Sequence, residues 1–295
     1  MARALELPRQ PVSRRGNAVW QLVAMGGRLL ALIVLIVAAV AFVFPLVWML
    51  STSLKSEAEV FAVPPIWIPA KILWSNYPDS LTYFPFVQYL INTLIVTVPS
   101  VIGTLVSSAL TAYGFARVRW KGRDAVFTLV LATLLIPSWT TLIPVYVLFA
   151  KMHWVGTFLP LIIPNFLGNP FYIFLLRQFF LRQPQELFDA AVIDGSGHLG
   201  LFSRILLPLS KPAMAVVALF SFMDSWKDFF NPLIYLNDDK LYTLSIGLYS
   251  FQSQHTTDWT TLMAASLLIA SPMIVLFFLT QRTFVEGITF TGLRG

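Results

Sequence analysis

Three groups of residues in this 295-residue chain are of types that do chemistry. The first is Gly195-Ser196-Gly197-His198-Leu199-Gly200, a G-x-G-x-x-G pattern of the kind that cradles a dinucleotide pyrophosphate. That chemistry needs a strand before the glycines, a helix after them and an acidic residue about twenty positions on, and the flanking sequence supplies none of these. Gly195 and Gly200 also have phosphate-loop spacing, but Leu201-Phe202 stand where Lys and Ser or Thr must follow. The glycines are therefore expected to stop a helix and form a tight turn, and the chain is not expected to hydrolyse ATP. The second group, His153, His198 and His255, is too scattered to hold one metal, and with no Cys there is no thiolate ligand or nucleophile. The third is Asp224, Trp226, Lys227 and Asp228, with Asn231 close behind. These residues fall inside an apolar run, where ionisable groups are costly and usually face a polar path or a partner. Asp224 and Lys227 at i and i+3 share a helical face and partly neutralise each other. Two placements stay open: charges about halfway along a span over 213–236, or a helix that ends near Met223 with the charges in the outer headgroup region. Trp226, Phe229, Phe230 and Tyr235 are suited to stacking on a sugar ring, and equally to packing or lipid contact.

The longest polar stretch between apolar segments, 186–212, carries Glu186, Asp189, Asp194, His198, Arg204 and Lys211, so it must lie in water. Its first turns read as a short amphipathic helix opened by Pro184 and Glu186, with Leu187, Ala190, Ala191 and Ile193 forming one small apolar face. Gly195 and Gly197 are expected to stop it. The result is a stub helix presented outside the membrane, a shape suited to docking against another protein.

The elements that must position these residues follow from composition. With 57% hydrophobic residues, 12% charged residues and a mean hydropathy of +0.74, the chain is too apolar for a soluble domain and reads as an integral membrane protein. Helices are the expected spanning elements, because a helix satisfies its own backbone in lipid. The fold class expected is all-α: a polytopic membrane protein with six transmembrane helices, near 29–50, 86–115, 125–150, 154–176, 213–236 and 259–281, and a short cytoplasmic helix. Residues 1–28 are expected to form an N-terminal tail, 29–282 a six-helix transmembrane domain with a polar loop at 184–212, and 283–295 a C-terminal tail. Residues 39–41 resemble a signal-peptidase site, but the apolar run continues past them at full span length, so an uncleaved first helix is expected. Residues 55–85, rich in Pro, Trp and Tyr, suit an irregular segment near the membrane interface. Six spans with the N-terminus inside put every basic residue except Lys55, Lys71, Lys151, Lys227 and Lys240 on one side. The positive-inside rule makes that side the cytoplasm. It also explains the net charge of +6 with no nucleic-acid partner.

Asp189-Ala190-Ala191 is followed by three residues, Gly195, nine residues, and then Ile205-Leu206-Leu207-Pro208. This closely resembles the E-A-A loop of the membrane subunits of binding-protein-dependent ABC importers, with Asp for Glu at the first position as the one departure. Residues 51–55, 112–123, 136–137 with 143–144, 224–232, 258–265 and 282–295 are similar to the carbohydrate-importing subfamily of the maltose-permease type. Relatives usually read W-N-[D/E] around Trp226, so Lys227 departs from the pattern.

The resemblance implies a passive permease subunit of the bacterial or archaeal inner membrane, not an enzyme. Its implied partners are a second permease subunit, two ATP-binding subunits that hold ATP and Mg, and an extracytoplasmic substrate-binding protein, with no cofactor or metal in this chain. The implied substrate is a carbohydrate of oligosaccharide, polyol or glycerol-phosphate type. The coupling residues implied are Glu186, Asp189, Ala190, Ala191, Asp194, Gly195, Ile205, Leu207 and Pro208, and Asp224, Trp226, Lys227, Asp228 and Asn231 are candidates for the substrate pathway. The tail ending at Gly295 resembles one that reaches into the ATPase interface. The alternatives are an ABC permease for a non-sugar substrate and an ion-coupled secondary transporter. For the latter, Asp224 and Asp228 are the only intramembrane acids, and no internal repeat is visible.

Overall fold

The computed structural model describes residues 14–251 and 258–289, all helical or irregular, with no strand among them. Helix α1 (Arg14–Ser53) runs unbroken for 40 residues through Pro45, so the segment expected as a polar tail is helical from Arg14 onward. No residue of its most apolar window, within Met25–Ser53, is buried. Residues 1–13 and the end of the C-terminal tail, 290–295, lie outside the described residues, as does His255.

The segment after α1 is irregular, as expected, apart from one helical turn at Glu57–Val60 and the short α2 (Asn76–Thr82). It is tied down from within: Asn76 Nδ2 donates to the carbonyls of Ser53 and Lys55 at 3.0 and 2.9 Å. Lys55 itself is buried, with its ammonium 4.2 Å from the centre of the Trp48 ring. Burial pushes the Lys55 ammonium below its ordinary value, and the nearby Glu59 opposes the shift.

Helix α3 (Phe86–Ala116) is the centre of the bundle, and the helices over Pro170–Leu181 and Lys211–Trp226 pack against it. Its buried face is built from small and hydroxyl residues, among them Thr97, Ser100, Thr104, Ser108, Ala109 and Ala112, which let neighbouring backbones approach closely. At Gly103 the approach leaves no room for a side chain, since a Cβ there would lie 2.5 Å from the Phe166 ring.

The expected third span is two helices, α4 (Arg123–Ala132) and α5 (Ser138–Lys151), bent by 100° across a break at Ile136-Pro137. Ile136 is extended (ψ 115°), the conformation a following proline enforces. The expected fourth span, 154–176, begins and ends later. Helix α6 (Leu159–Ile162), a 3-10 stretch and α7 (Pro170–Leu181) together cover Leu159–Leu181, with Gly168 at φ +92° between them. Helix α8 (Gln185–Ile193) follows, then a π-helical stretch, Leu201–Leu206, and α9 (Lys211–Trp226), which meets the preceding segment at 80°.

The fifth span differs most from expectation. Helix α9 stops at Trp226 after 16 residues, or about 24 Å at 1.5 Å per residue, and a separate short α10 (Phe230–Tyr235) follows. Pro232 accounts for the break: it has no N–H for the Asp228 carbonyl four residues earlier, and its ring would clash there. That freed carbonyl instead accepts a hydrogen bond from the Ser245 hydroxyl. Helix α11 (Leu244–Tyr249) then leads to α12 (Trp259–Thr289).

Among the described residues, four segments are long and apolar enough to cross a membrane: Met25–Ser53, Phe86–Ala116, Leu159–Leu181 and Trp259–Gln281. Taking each bent pair as one span raises the number to six.

Candidate functional site: an exposed loop and a polar cavity

Helix α8 starts where Pro184 leaves the extended region (ψ 130°) and carries Glu186 in its first turn, where a negative charge complements the helix dipole. It ends in a paired-bond stop. Gly195 adopts φ +82°, its N–H bonds the Val192 carbonyl at 3.0 Å, and the Ser196 N–H bonds the Ala191 carbonyl at 2.9 Å. Gly197, expected to help stop the helix, instead opens the next turn as an extended residue before His198.

The single apolar face expected for this helix is divided between two sides. Phe188 and Ala191 point inward and join a core cluster with Leu201, Phe202 and Leu206 of the returning segment and Leu176 and Phe180 of α7. Leu187, Ala190, Val192 and Ile193 face outward, Ile193 at 85% exposure, alongside Glu186, Asp189 and Asp194. Phe188 was not singled out by sequence reasoning, although a large aromatic four residues from Val192 and three from Ala191 is an ordinary anchor pattern. Ile205 and Leu207 are half-buried against the same cluster, and Pro208 is exposed.

One side chain fixes the loop to the bundle. Arg117, at the end of α3, donates to the carbonyls of Phe180 at 2.5 Å and Gln183 at 2.7 Å and to the side-chain oxygen of Gln185 at 2.7 Å. Its guanidinium lies 4.1 Å from the centre of the Phe188 ring. Gln185 in turn donates to Asp189 at 2.9 Å. Burial pushes the Arg117 guanidinium down from its ordinary value, opposed by Tyr113 and Asp189, and the group stays a cation. Nearby, Tyr113 shares a 3.0 Å hydrogen bond with Nδ1 of His198, a residue expected to be merely solvated. Arg177 bridges α7 to Asp124 of α4 at 3.4 Å. The loop is thus a preformed, rigidly seated projection with an exposed apolar and acidic outer surface.

The charges after Met223 lie at and just beyond the end of α9, which stops at Trp226, closer to the placement with a helix ending near Met223 than to one midway along an unbroken span. Asp224, Asp228 and Asn231 line a cavity of about 480 Å³ bounded by parts of α3, α5, α6, α7, α9 and α10. That volume is within the range of small-molecule sites. Tyr172 of α7 donates to Asp224 Oδ2 at 2.8 Å, and Lys227 Nζ lies 3.5 Å from Asp224 Oδ1. Both members of that ion pair are well exposed, so it contributes little. Asp228 accepts from the Asn231 backbone N–H at 3.2 Å and from its side-chain amide at 2.8 Å.

Two of the candidates stand apart from this cavity. Trp226 is buried on the opposite face of α9, where its indole donates to the Ile269 carbonyl of α12 at 2.9 Å and stacks on Phe222. Lys227 reaches Asp224 without lining the cavity. Of the four aromatics suited to stacking, Tyr235 lines the cavity beside Phe149, whereas Phe230 packs edge-on against Trp139 and Phe229 against Tyr249. Sequence reasoning missed Asn165, Asn169 and Tyr172 on the far wall. The signal was there, in two amides flanking Gly168 within a stretch read as continuous helix. Among the described residues no group of His, Cys, Asp and Glu could hold a metal ion.

Residues 103–289 match the family model described as "Binding-protein-dependent transport system inner membrane component". The arabinooligosaccharides transport system permease AraQ of Bacillus subtilis is 31% identical over 260 residues, 86% of this chain and 91% of that protein. The diacetylchitobiose uptake system permease DasC of Streptomyces coelicolor is 30% identical over 270 residues, 91% of this chain and 98% of that protein. A crystal structure of a bacterial ABC transporter involved in the import of the acidic polysaccharide alginate has a chain of the same fold. It superposes with a TM-score of 0.76 over 92% of this chain and 99% of that one, at 21% identity. A membrane-embedded bundle with a loop of this spacing, matched over most of its length, is an ABC transporter permease and not an enzyme: the chain belongs to the family of binding-protein-dependent transport system inner membrane components.

Proposed function

We propose that this chain is one permease subunit of an ATP-driven carbohydrate importer, and that its α8 loop receives the motion of an ATP-binding subunit. The observation that carries the coupling role is the outer surface of α8: Leu187, Ala190 and Ile193 exposed, acids beside them, and the whole unit seated on Arg117. A short helix with small and apolar residues outward fits a groove in a partner. Asp189 would pair with a basic residue there. Rigid attachment means that a push on α8 reaches α3 and α7 together. Glu186, Ala191, Asp194, Gly195, Ile205, Leu207 and Pro208 shape and seat this unit. Positive charge concentrated at the loop side supports cytoplasmic termini and a cytoplasmic loop.

The full assembly would comprise this subunit, a second permease subunit, two ATP-binding subunits carrying ATP and Mg, and an extracytoplasmic binding protein that delivers the substrate. The carbohydrate assignment draws on AraQ and DasC, named for oligosaccharide uptake, and on a cavity that offers hydroxyl, amide and carboxylate groups beside aromatic rings. An ion-coupled secondary transporter, the alternative that Asp224 and Asp228 raised, is set aside by family membership.

The test is uptake in proteoliposomes of the complete importer. Ala190→Arg, on the outer face of α8, is expected to abolish uptake of the sugar that the cognate binding protein holds, while the complex still inserts in the membrane. Unchanged uptake would remove the docking role. A binding protein that holds no saccharide would remove the carbohydrate reading.

A further inference from the structure

We propose that the cavity accepts uncharged saccharides and turns away anionic ones; this inference rests on the carbohydrate reading above. The family contains both kinds of carrier in name, since DasC is named for diacetylchitobiose, which is uncharged, and the alginate transporter for an acidic polysaccharide. The relatives therefore leave the charge of the substrate open. The cavity wall decides it.

Two carboxylates, Asp224 and Asp228, stand on that wall, and no Lys, Arg or His lines it among the described residues. The nearest cation, Lys227, meets Asp224 from outside the lining. Each carboxylate can accept about four hydrogen bonds. Asp224 accepts one from Tyr172 and faces the Lys227 ammonium; Asp228 accepts two from Asn231. Acceptor capacity thus remains on both. Sugar hydroxyls can fill it by donating, while the buried rings of Tyr235 and Phe149, stacked on Tyr146 and Trp154, form an apolar part of the wall. A uronate, sulfonate or phosphate group brings only further acceptors and a like charge beside Asp224 and Asp228, and no cation lines the wall to meet it.

The test uses the complete permease–ATPase complex in nanodiscs without its binding protein, so that the binding protein's own selectivity is removed. Saturation-transfer NMR at low salt compares diacetylchitobiose with an alginate trisaccharide at equal millimolar concentration. The expected result is a signal at least about tenfold larger for the uncharged sugar. Asp224→Asn/Asp228→Asn is expected to bring the two within about threefold. If the double variant fails to assemble, Asp224→Asn alone serves, because an amide oxygen can still accept from Tyr172. Equal signals in the unmodified complex, or a ratio that the variants leave unchanged, would overturn the charge inference and leave the carbohydrate reading standing. Transfer to neither saccharide would overturn both.

Discussion

The α8 loop and the polar cavity are both built from charged residues in an apolar chain, yet they are organised in opposite ways. The loop is one continuous segment whose working surface faces outward, with its hydrophobic anchor, Phe188 and Ala191, folded beneath. The cavity is assembled from residues as far apart in sequence as Thr93 and Thr243, and its working groups face inward. If the loop docks an ATP-binding subunit and the cavity admits the solute, as proposed, one chain separates where force is received from where the solute passes. The two regions meet along α3, which contributes Thr93 and Thr104 to the cavity wall and ends at Arg117 beneath the loop.

That separation can be broken experimentally, most severely at the loop's outer face. Ala190→Arg puts a long charged side chain on a surface expected to be covered by a partner. Uptake by the reconstituted importer should fall at least about 100-fold, equivalent to roughly 2.8 kcal/mol, while ATP hydrolysis loses its dependence on the binding protein. Ala191→Arg is expected to be worse for assembly than for coupling, since Ala191 lies in the core. A normal membrane level with uptake lost would show that the inner face, too, takes part in docking.

Arg117→Ala should come next. Charge-assisted hydrogen bonds contribute about 1.5–3 kcal/mol each, and this change removes several between α3 and the loop. Tryptic cleavage within the 184–212 loop should accelerate, and uptake per ATP hydrolysed should drop. Uptake per ATP that stays constant while stability falls would make Arg117 purely structural.

Asp228→Asn sharpens the comparison from the other side. It should change which solute is carried, or the apparent affinity for it, by about three- to tenfold, with the ratio of uptake to ATP hydrolysis preserved. A lost ratio would mean that the cavity and the loop are not separable. The smallest effect is expected at Trp226→Phe, which gives up one hydrogen bond to Ile269. Thermal stability in detergent should fall by about 1 kcal/mol with uptake unchanged, and a shift in solute preference there would return Trp226 to the pathway.

The same contrast explains what could be read from the sequence. Asp189-Ala190-Ala191, Gly195 and Ile205 to Pro208 lie at fixed local spacing, so the stub helix and its stop at Gly195 were legible. Which face is covered was not, because that depends on Phe180 and Leu206 arriving from elsewhere in the chain. The cavity was visible only as four of its residues, Asp224, Asp228, Asn231 and Tyr235. Asn165, Asn169 and Tyr172 belong to a different segment of the chain, 163–181, and their approach to Asp224 is a tertiary fact. The break after Trp226 was readable in principle: Pro232 lies four residues after Asp228, the spacing that removes a helical hydrogen bond. Hydrophobicity outweighed it, since an apolar run long enough to span suggested an unbroken helix.

Arg117 holds the loop largely through the Phe180 and Gln183 carbonyls, atoms that every residue type possesses. As acceptors, positions 180 and 183 are therefore interchangeable, and the side chain of Gln183, half-exposed, is free to drift among related permeases. Position 117 has no such freedom. Lysine supplies a point charge in place of a planar fork and cannot reproduce several divergent bonds at once. The joint between loop and bundle is thus recorded unevenly in sequence: positions 117, 185 and 188 contribute side chains to it, whereas 180 and 183 contribute only backbone acceptors.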